Sequence, residues 1–433
     1  MPMALESWLT KVRSAMSKQA APPGPMIRSM RKKSSVGILA LEVGSLMSKL
    51  LRMWRAVGDA SVARLRHETI HLDGIRKVVS DDDDFLLGLA CAELVDALRA
   101  ASESVAALAA RCADPGLRDF RDAFSEFAET GRDRHRWVCS SKDDMDARAH
   151  KMERQVATTT ALRRAMEELA EAEHGLRRQL HLVVVQCKGK GGHHRRSLSA
   201  SNISVAAEQQ QLIFSKKQEV KQLKQASLWG CTLDAVVASM ARAAFTTLAR
   251  IKLVFGSLTL SSMSMESQVL TPAPGTLGAA ALAPRYAAVV VAVERMVRSP
   301  RLVGPEERDE LYGMLTASVR AQLRGRLRGT VAAADPELAA QWRAALAGIL
   351  EWLAPMAHAT MRWQAERSFE IEQRTAVPGG VGGVLLLQTL HMADRHKVEA
   401  AVVELLVGLN YVCRFHKEMM TCCGPPAMAS VRC

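Results

Sequence analysis

Apolar residues recur along this chain at three- and four-residue steps, the period of one face of an α-helix. Leu39, Val43, Leu46, Leu50, Trp54 and Val57 form the first such stripe. Leu87, Cys91, Leu94, Leu98, Ala101, Val105 and Leu108 form another, at unbroken +4/+3 spacing. Ser80 is expected to cap that second helix, with Asp81 to Asp84 on its first turn, where free backbone N–H groups and the helix dipole favour negative charge. A helix is predicted over about 59–72. Asp114-Pro115 opens another, with Phe120, Phe124 and Phe127 on one side.

Over 141–183 the apolar steps lengthen to a coiled-coil period. Met145, Ala149, Met152, Val156, Thr159, Leu162, Met166, Leu169, Ala172, Leu176 and Leu180 average close to 3.5 residues apart. Ala149, Thr159 and Ala172 make this a weak seam. Packing as a hairpin against 206–228 therefore competes with dimerisation. Helix resumes over 205–254, through Leu228-Trp229-Gly230.

Residues 277–415 return to globular helical patterning, at about 278–298, 305–313, 316–328, 336–375 and 384–414. Pro355 lies inside the fourth of these and is expected to kink or divide it. Val398, Val402, Leu405, Leu409 and Val412, widened by Val403 and Leu406, predict a last helix buried on most sides. Runs of alternating β-branched residues are few, which argues against a sheet.

The expected fold is thus all-α. Two helical-bundle domains, 36–135 and 277–415, are joined by a long helical, coiled-coil-like middle, 141–254. Residues 1–35 read as an amphipathic helix (Leu5, Trp8, Leu9, Val12, Met16) and a basic linker beyond Pro22-Pro23-Gly24-Pro25. Residues 188–204 have the composition of a disordered loop, 256–276 of a linker and 416–433 of a loose tail.

Charge changes this picture. The chain of 433 residues carries a formal net charge of +13. All of that excess lies in two windows without acids. Glu6 to Glu42 encloses Lys11, Arg13, Lys18, Arg28, Arg31, Lys32 and Lys33; Glu173 to Glu208 encloses Arg177, Arg178, Lys188, Lys190, Arg195 and Arg196. The rest is balanced, at 45 charges of each sign. The candidate functional residues are accordingly Arg28, Arg31, Lys32 and Lys33, with Lys188, Lys190, Arg195 and Arg196. Such patches suit nuclear import, nucleic acid, an anionic membrane or plain solvation. No aromatic residue interleaves 188–204, so base stacking is unsupported and nucleic acid is not the expected partner. Ser34 and Ser199 each follow an arginine by three residues, the arrangement favoured by basophilic kinases. Phosphate there would cancel local charge.

Motifs for catalysis are weak. His67-Glu68-Thr69-Ile70-His71 spells HExxH, which on a helix can hold zinc with the Glu as base, and Glu93 stands where a third ligand could be. Asp73-Gly74 ends that helix at once, and no β-rich half follows. Asp81 to Asp84 lacks the glycine of a calcium loop, since its sixth position is Leu86. His391, Asp394 and His396 lie too close along one helix to converge. No GxSxG, Walker loop or dinucleotide fingerprint occurs. The expectation is a non-enzyme without catalytic residues, metal or cofactor, with an HExxH metalloprotease as the remote alternative. The nine cysteines include no CxxC, and an intracellular setting fits. The longest apolar run, Leu277 to Val293, is broken by Pro284 and Arg285, so no membrane span is expected. With Pro2 after Met1, N-myristoylation is not expected.

Several of these segments resemble a known family. They are Lys33 to Val43 (KSSVGILALEV), Met47 to Leu51 and Val78 to Leu87 (VVSDDDDFLL), and then Leu277 to Ala283, Val297 to Gly304 (VRSPRLVG) and Leu311 to Leu315 (LYGML). Trp363 to Glu370, Leu387 to Leu390, Glu404 to Val412 and the opening MALESWL belong with them. Together they resemble the PSK-simulator family of plants, with its two plant-specific helical domains of unknown function. The resemblance implies a regulator of plant growth linked to phytosulfokine peptide signalling, placed in the nucleus or at the cytoplasmic face of the plasma membrane. It carries over no catalytic residue. Where relatives usually read Leu-His-Tyr-Ala-Asn, this chain has Pro284-Arg285-Tyr286-Ala287-Ala288. The resulting expectation is an adaptor holding unidentified protein partners, with the basic segments directing placement. The alternative is a peripheral membrane scaffold that uses the 3–18 helix on anionic lipid. Oligomeric state stays open.

Overall fold

Fourteen α-helices and no strand make up the described residues of the computed structural model, which are 35–188, 200–256, 270–300, 303–328, 335–372 and 384–422. Side chains within 179–188, 200–207, 367–372 and 419–422 are outside that description. The chain divides into Met1–Lys33, wholly outside the described residues, and one compact unit, Ser34–Cys433.

In the first bundle, α1 (Ala40–Ala56) buries Val43, Leu50 and Trp54 of the predicted stripe, with Met47 buried and the predicted Leu46 only half-buried. The next segment is less regular. Helix α2 (Asp59–His67) stops at His67, Thr69–His71 forms a single 3-10 turn, and α3 (Asp73–Val78) follows. Helix α4 (Asp83–Ala109) is capped by Asp82 rather than Ser80. Asp82 Oδ1 accepts the Asp84 and Phe85 N–H groups at 3.0 and 3.4 Å, while Ser80 Oγ accepts from Asp82 N–H. The acidic run simply offers a carboxylate closer to the free N–H groups.

Asp114 and Pro115 start a short α5 (Pro115–Arg118), and α6 (Phe120–Thr130) carries the phenylalanines. Their rings cluster with Trp137 and with Phe245 of α9 (Leu233–Phe255). Lys252 of α9 donates to the Phe127 and Ala128 carbonyls at 2.9 and 2.6 Å, satisfying the C-terminal end of α6. Helix α9 thus lies in the first bundle, with Val237, Met240, Phe245 and Ile251 buried. The helix read as continuous over 205–254 is in fact broken at Ser227, where Leu228–Gly230 makes a 3-10 turn and redirects the chain.

Helix α7 (Lys142–Lys188) and α8 (Ala200–Ala226) form the hairpin. The first half of α7 packs on α1 through Met145, Met152 and Val156. The hairpin has its own small cluster of Leu162, Ala165 and Val220, extended by Met166, Leu169 and Leu223. Beyond it, Lys216 pairs with Glu168 and Lys217 with Glu173. Thr159, the polar member of the predicted seam, is buried but satisfied. Its hydroxyl donates to Gln155 O at 2.7 Å and accepts Leu228 N–H at 3.2 Å.

The C-terminal helices are α10 (Ala283–Arg298), α11 (Pro305–Met314), α12 (Ala317–Leu327), α13 (Pro336–Glu372) and α14 (Arg395–Cys422). Pro355 does not divide α13. Pro355 and Glu351, whose carbonyl loses its partner, both face solvent, while Leu353, Ala354 and Met356 pin the other side. The last helix begins later than its pattern predicts, because Leu386–Gln388 is a 3-10 turn and 389–394 is extended or turned.

The two bundles share one continuous hydrophobic core. Their junction is tight: Gly74 of α3 lies against α13, where a Cβ would come within 2.6 Å of Trp352 O and 2.8 Å of Met356 Sδ. Asp394 N–H donates to Val78 O at 2.7 Å, and Leu386 N–H to Glu93 Oε2 at 2.7 Å. The same short strip is held from the other side. Leu277 N–H bonds Ala393 O, Gly278 N–H bonds His391 O, and Arg395 N–H bonds Gly275 O.

One turn into α14 stands the buried carboxylate Glu399, 2% exposed. Its Oε1 accepts from Tyr286 OH at 2.7 Å and Arg395 Nε at 2.8 Å. Its Oε2 accepts from Ser318 Oγ at 2.8 Å and Gln322 Nε2 at 3.4 Å. Burial alone would raise this carboxyl's pKa, but hydrogen bonds from Arg395, Tyr286 and Ser318 outweigh it and hold the group below its ordinary value. Burial, with Glu399 beside it, pushes Tyr286 up to about 12. Glu399 therefore ties α10, α12 and α14 together.

Two stability predictions follow from these contacts. Glu399→Gln should cost about 3 kcal/mol in chemical denaturation, the scale for breaking a buried charge-assisted set. Because the folded pKa lies below the unfolded one, this contribution is present above about pH 4.3 and lost as pH falls through the folded value. The stability gap between the wild-type chain and the variant should thus close in acid. Gly74→Ala should destabilise by about 1–3 kcal/mol through overpacking. Gly88→Ala, where a Cβ meets nothing within 4 Å, should be neutral or stabilising by up to about 1 kcal/mol.

Candidate functional site

The sequence-derived placement residues fall where the structure is silent. Arg28, Arg31, Lys32, Lys33, Ser34, Lys190, Arg195, Arg196 and Ser199 all lie outside the described residues. Lys188 is the last residue of α7, its side chain outside the description. The second basic window therefore spans the connection between α7 and α8, the two arms of the hairpin.

The HExxH pattern does not form the arrangement that zinc requires. His67 ends α2, and Glu68 leaves helical geometry at φ −122°, ψ −57°. His71 lies on the following 3-10 turn, its Nδ1 2.8 Å from Arg76 Nη2. The two imidazoles are not on successive turns of one helix, and a guanidinium stands beside one of them. Glu93, the notional third ligand, instead holds the Leu386 N–H at the bundle junction. Among the described residues no group of three or more His, Cys, Asp or Glu is placed to hold a metal ion. No helix among them is long and apolar enough to cross a membrane.

Three of the described thiols are poor nucleophiles. Burial, reinforced by Asp234, pushes Cys112 up to about 12. Burial also raises Cys139 and Cys413. All three stay protonated at neutral pH, whereas thiol chemistry runs through the thiolate.

Two surface features remain. A groove of about 400 Å³ lies between α1, α7 and α9, walled by Trp54, Val57 and the 73%-exposed Leu253. Its rim charges are mutually engaged: Arg55 pairs with Glu153, Lys142 and Arg250 with Asp59, and Asp146 accepts from Trp54 Nε1 at 2.7 Å. The second feature is a row of arginines. Arg320, Arg324 and Arg328 follow one another at four-residue steps through and just past α12, and Arg285 joins them from α10. Arg285 donates from Nε to Met314 O at 2.5 Å and from Nη2 to Leu315 O at 3.2 Å. Arg320 donates to Gly313 O at 3.1 Å and stacks over Tyr312, whose hydroxyl accepts from Arg324 at 2.8 Å. These cations thus offset the negative C-terminal end of α11. Arg285 therefore has a structural role here, in the Pro284–Ala288 segment that departs from the expected family pattern. Its neighbour Tyr286 enters the Glu399 network.

Sequence reasoning missed the close approach at Gly74, Glu399 and the arginine row, and it considered Glu93 only as a metal ligand, not as a junction contact. Only Glu399 left a usable signal. It stands four residues before Val403 and seven before Leu406, which is an acid on a face expected to be buried.

Known proteins resemble this arrangement in sequence but not in solved structure. Residues 38–94 match the family described as a domain of unknown function (DUF3475), and residues 276–362 match the protein of unknown function DUF668. Protein PSK SIMULATOR 1 of Arabidopsis thaliana is 24% identical over 388 residues, which cover 88% of this chain and 56% of that protein. Protein PSK SIMULATOR 2 is 25% identical over 88% of this chain and 60% of its own length, and Protein PSK SIMULATOR 3 is 22% identical over 93% and 59%. The chain thus spans less than two thirds of the length of these curated relatives. No solved structure matches. Both domains of unknown function thus lie along one all-α body, and the chain is similar over about nine tenths of its length to the PSK SIMULATOR proteins of plants.

Proposed function

We propose that this chain is a non-enzymatic regulator of plant growth that acts in phytosulfokine-related signalling as an adaptor for protein partners. The observation that carries the reading is the joint match of both helical domains to three proteins named for simulating PSK. The geometry agrees with an adaptor. The described body offers helical surfaces, a groove and a projecting hairpin. Its buried charges are spent on holding helices together.

Placement in the nucleus or at the cytoplasmic face of the plasma membrane rests on the two basic windows. They hold all the excess charge, and one of them bridges the hairpin arms. Juxtaposed cations of this density attract anionic lipid headgroups at low ionic strength. They also suit import receptors that read basic segments.

Seedlings lacking this protein should show a reduced growth response to added phytosulfokine peptide; a full response would overturn the regulatory reading. Replacing Lys188, Lys190, Arg195 and Arg196 with Gln, or deleting 28–33, should redistribute a fluorescent fusion without changing its unfolding midpoint. An unchanged distribution would remove the role of the basic windows in placement.

A further inference from the structure

Between α4 and α6 lies a cavity of about 190 Å³, with Leu98, Phe120, Phe124 and Leu248 as its apolar lining. Ser102 of α4 also lines it. That residue is 5% exposed, and its Oγ has no hydrogen-bond partner. The contrast with other helical hydroxyls in the molecule is instructive. Ser48, Ser104, Thr158, Thr159, Thr160 and Thr246 each donate back to the carbonyl four residues earlier. Ser102 and Thr247 of α9 make no such bond, and of the two only Ser102 lines the cavity. A buried hydroxyl without a partner is costly, and an occupant that brings one removes the cost.

The mouth carries Arg99, Arg121, Glu103 and Glu129, two charges of each sign. Glu103 and Arg121 already pair at 2.6 Å. The opening therefore presents no net charge, and an ionic occupant would leave water without a counter-charge to meet it. Size narrows the choice further. A cavity of about 150 Å³ accepts benzene, so one of about 190 Å³ has room for a substituted ring or a fused pair. Phe120 and Phe124, with centroids 5.7 Å apart, supply faces and edges for ring packing.

We propose that this cavity is a binding site for a small neutral aromatic molecule, of one ring or two fused rings, whose hydroxyl or ring N–H bonds Ser102 Oγ. The site is independent of the basic windows and of the phytosulfokine reading.

Calorimetric or NMR titration of the full chain with phenol and indole, against toluene and benzoate, tests it. Phenol or indole should bind saturably at one site with a Kd of about a millimolar or tighter. Benzoate should bind at least about tenfold more weakly than phenol. Ser102→Ala keeps the space but removes the hydroxyl, and should cut the preference for phenol over toluene by about five- to tenfold. Ala128→Phe, at a half-buried wall position, should abolish binding with the unfolding midpoint retained. The absence of saturable binding by phenol and indole up to about 10 mM would overturn the proposal. So would wild-type binding in Ala128→Phe, or a phenol preference untouched by Ser102→Ala.

Discussion

The strip 390–395 is gripped from both sides, and much of the C-terminal architecture hangs from that grip. Val78 O takes the Asp394 N–H, while residues 275–278 pair with His391, Ala393 and Arg395. These backbone bonds fix the residue at which α14 begins. That starting point places Arg395 and Glu399 one turn apart, and so decides where the buried carboxylate meets Tyr286, Ser318 and Gln322. A shift of one residue would rotate α14 by about 100°, move Glu399 out of its donors and bring Val398 toward them. The glycine contact at Gly74 serves the same end, because only a residue without Cβ lets α3 approach α13 closely enough for Val78 to reach the strip.

This explains which parts of the structure were legible in the sequence. Helices α1, α4 and α14 were, since each buries a stripe at three- and four-residue spacing whatever its neighbour is. Their joints were not. The Ser80–Asp84 run contains five residues able to cap, and the choice of Asp82 depends on where the preceding α3 ends. Pro355 reads as a helix breaker, yet a helix survives a proline whose orphaned carbonyl faces water and whose buried side is clamped. The period of 141–183 specified a partner helix without saying whose. The break at Ser227 supplies it, by sending α8 back along α7 and α9 into the first bundle. Of the candidate site, the basic windows were fully legible as charge, while Ser102 and its cavity depend on a long-range approach that no local pattern reports.

Charge in this protein divides by use. Within the body, ions meet identifiable demands. Arg285 and Arg320 answer the carbonyls that end α11, Lys252 those that end α6, and Arg395 the carboxylate of Glu399. Exposed pairs such as Lys217–Glu173 along the hairpin add little stability individually, but they let two long helices run side by side where apolar contacts thin out. The windows, by contrast, contain no acid at all. Uncompensated cations in chain segments are cheap only while solvated, and gain free energy when an external anion meets them.

That division bears on how the proposed regulator would work. Each buried charge in the Glu399 network has committed its donors or acceptors to holding helices, so replacing one disturbs the fold before it disturbs any signal. The α4–α6 cavity is different, since the Ser102 hydroxyl that lines it is not used in the bonding that secures the body. A basic segment can be neutralised while α1, α4, α9 and the strip at 390–395 stay packed, and a ring can enter beside Ser102 without displacing an existing hydrogen bond. Placement and ligand response would then be separable inputs to one rigid helical frame. A path from the cavity to the C-terminal half runs through α4, because that helix lines the cavity with Ser102 and meets the C-terminal half through Glu93. Ser102 and Glu93 lie nine residues apart on α4, or two and a half turns, so movement of this one helix is the shortest physical link between the cavity and the bundle junction.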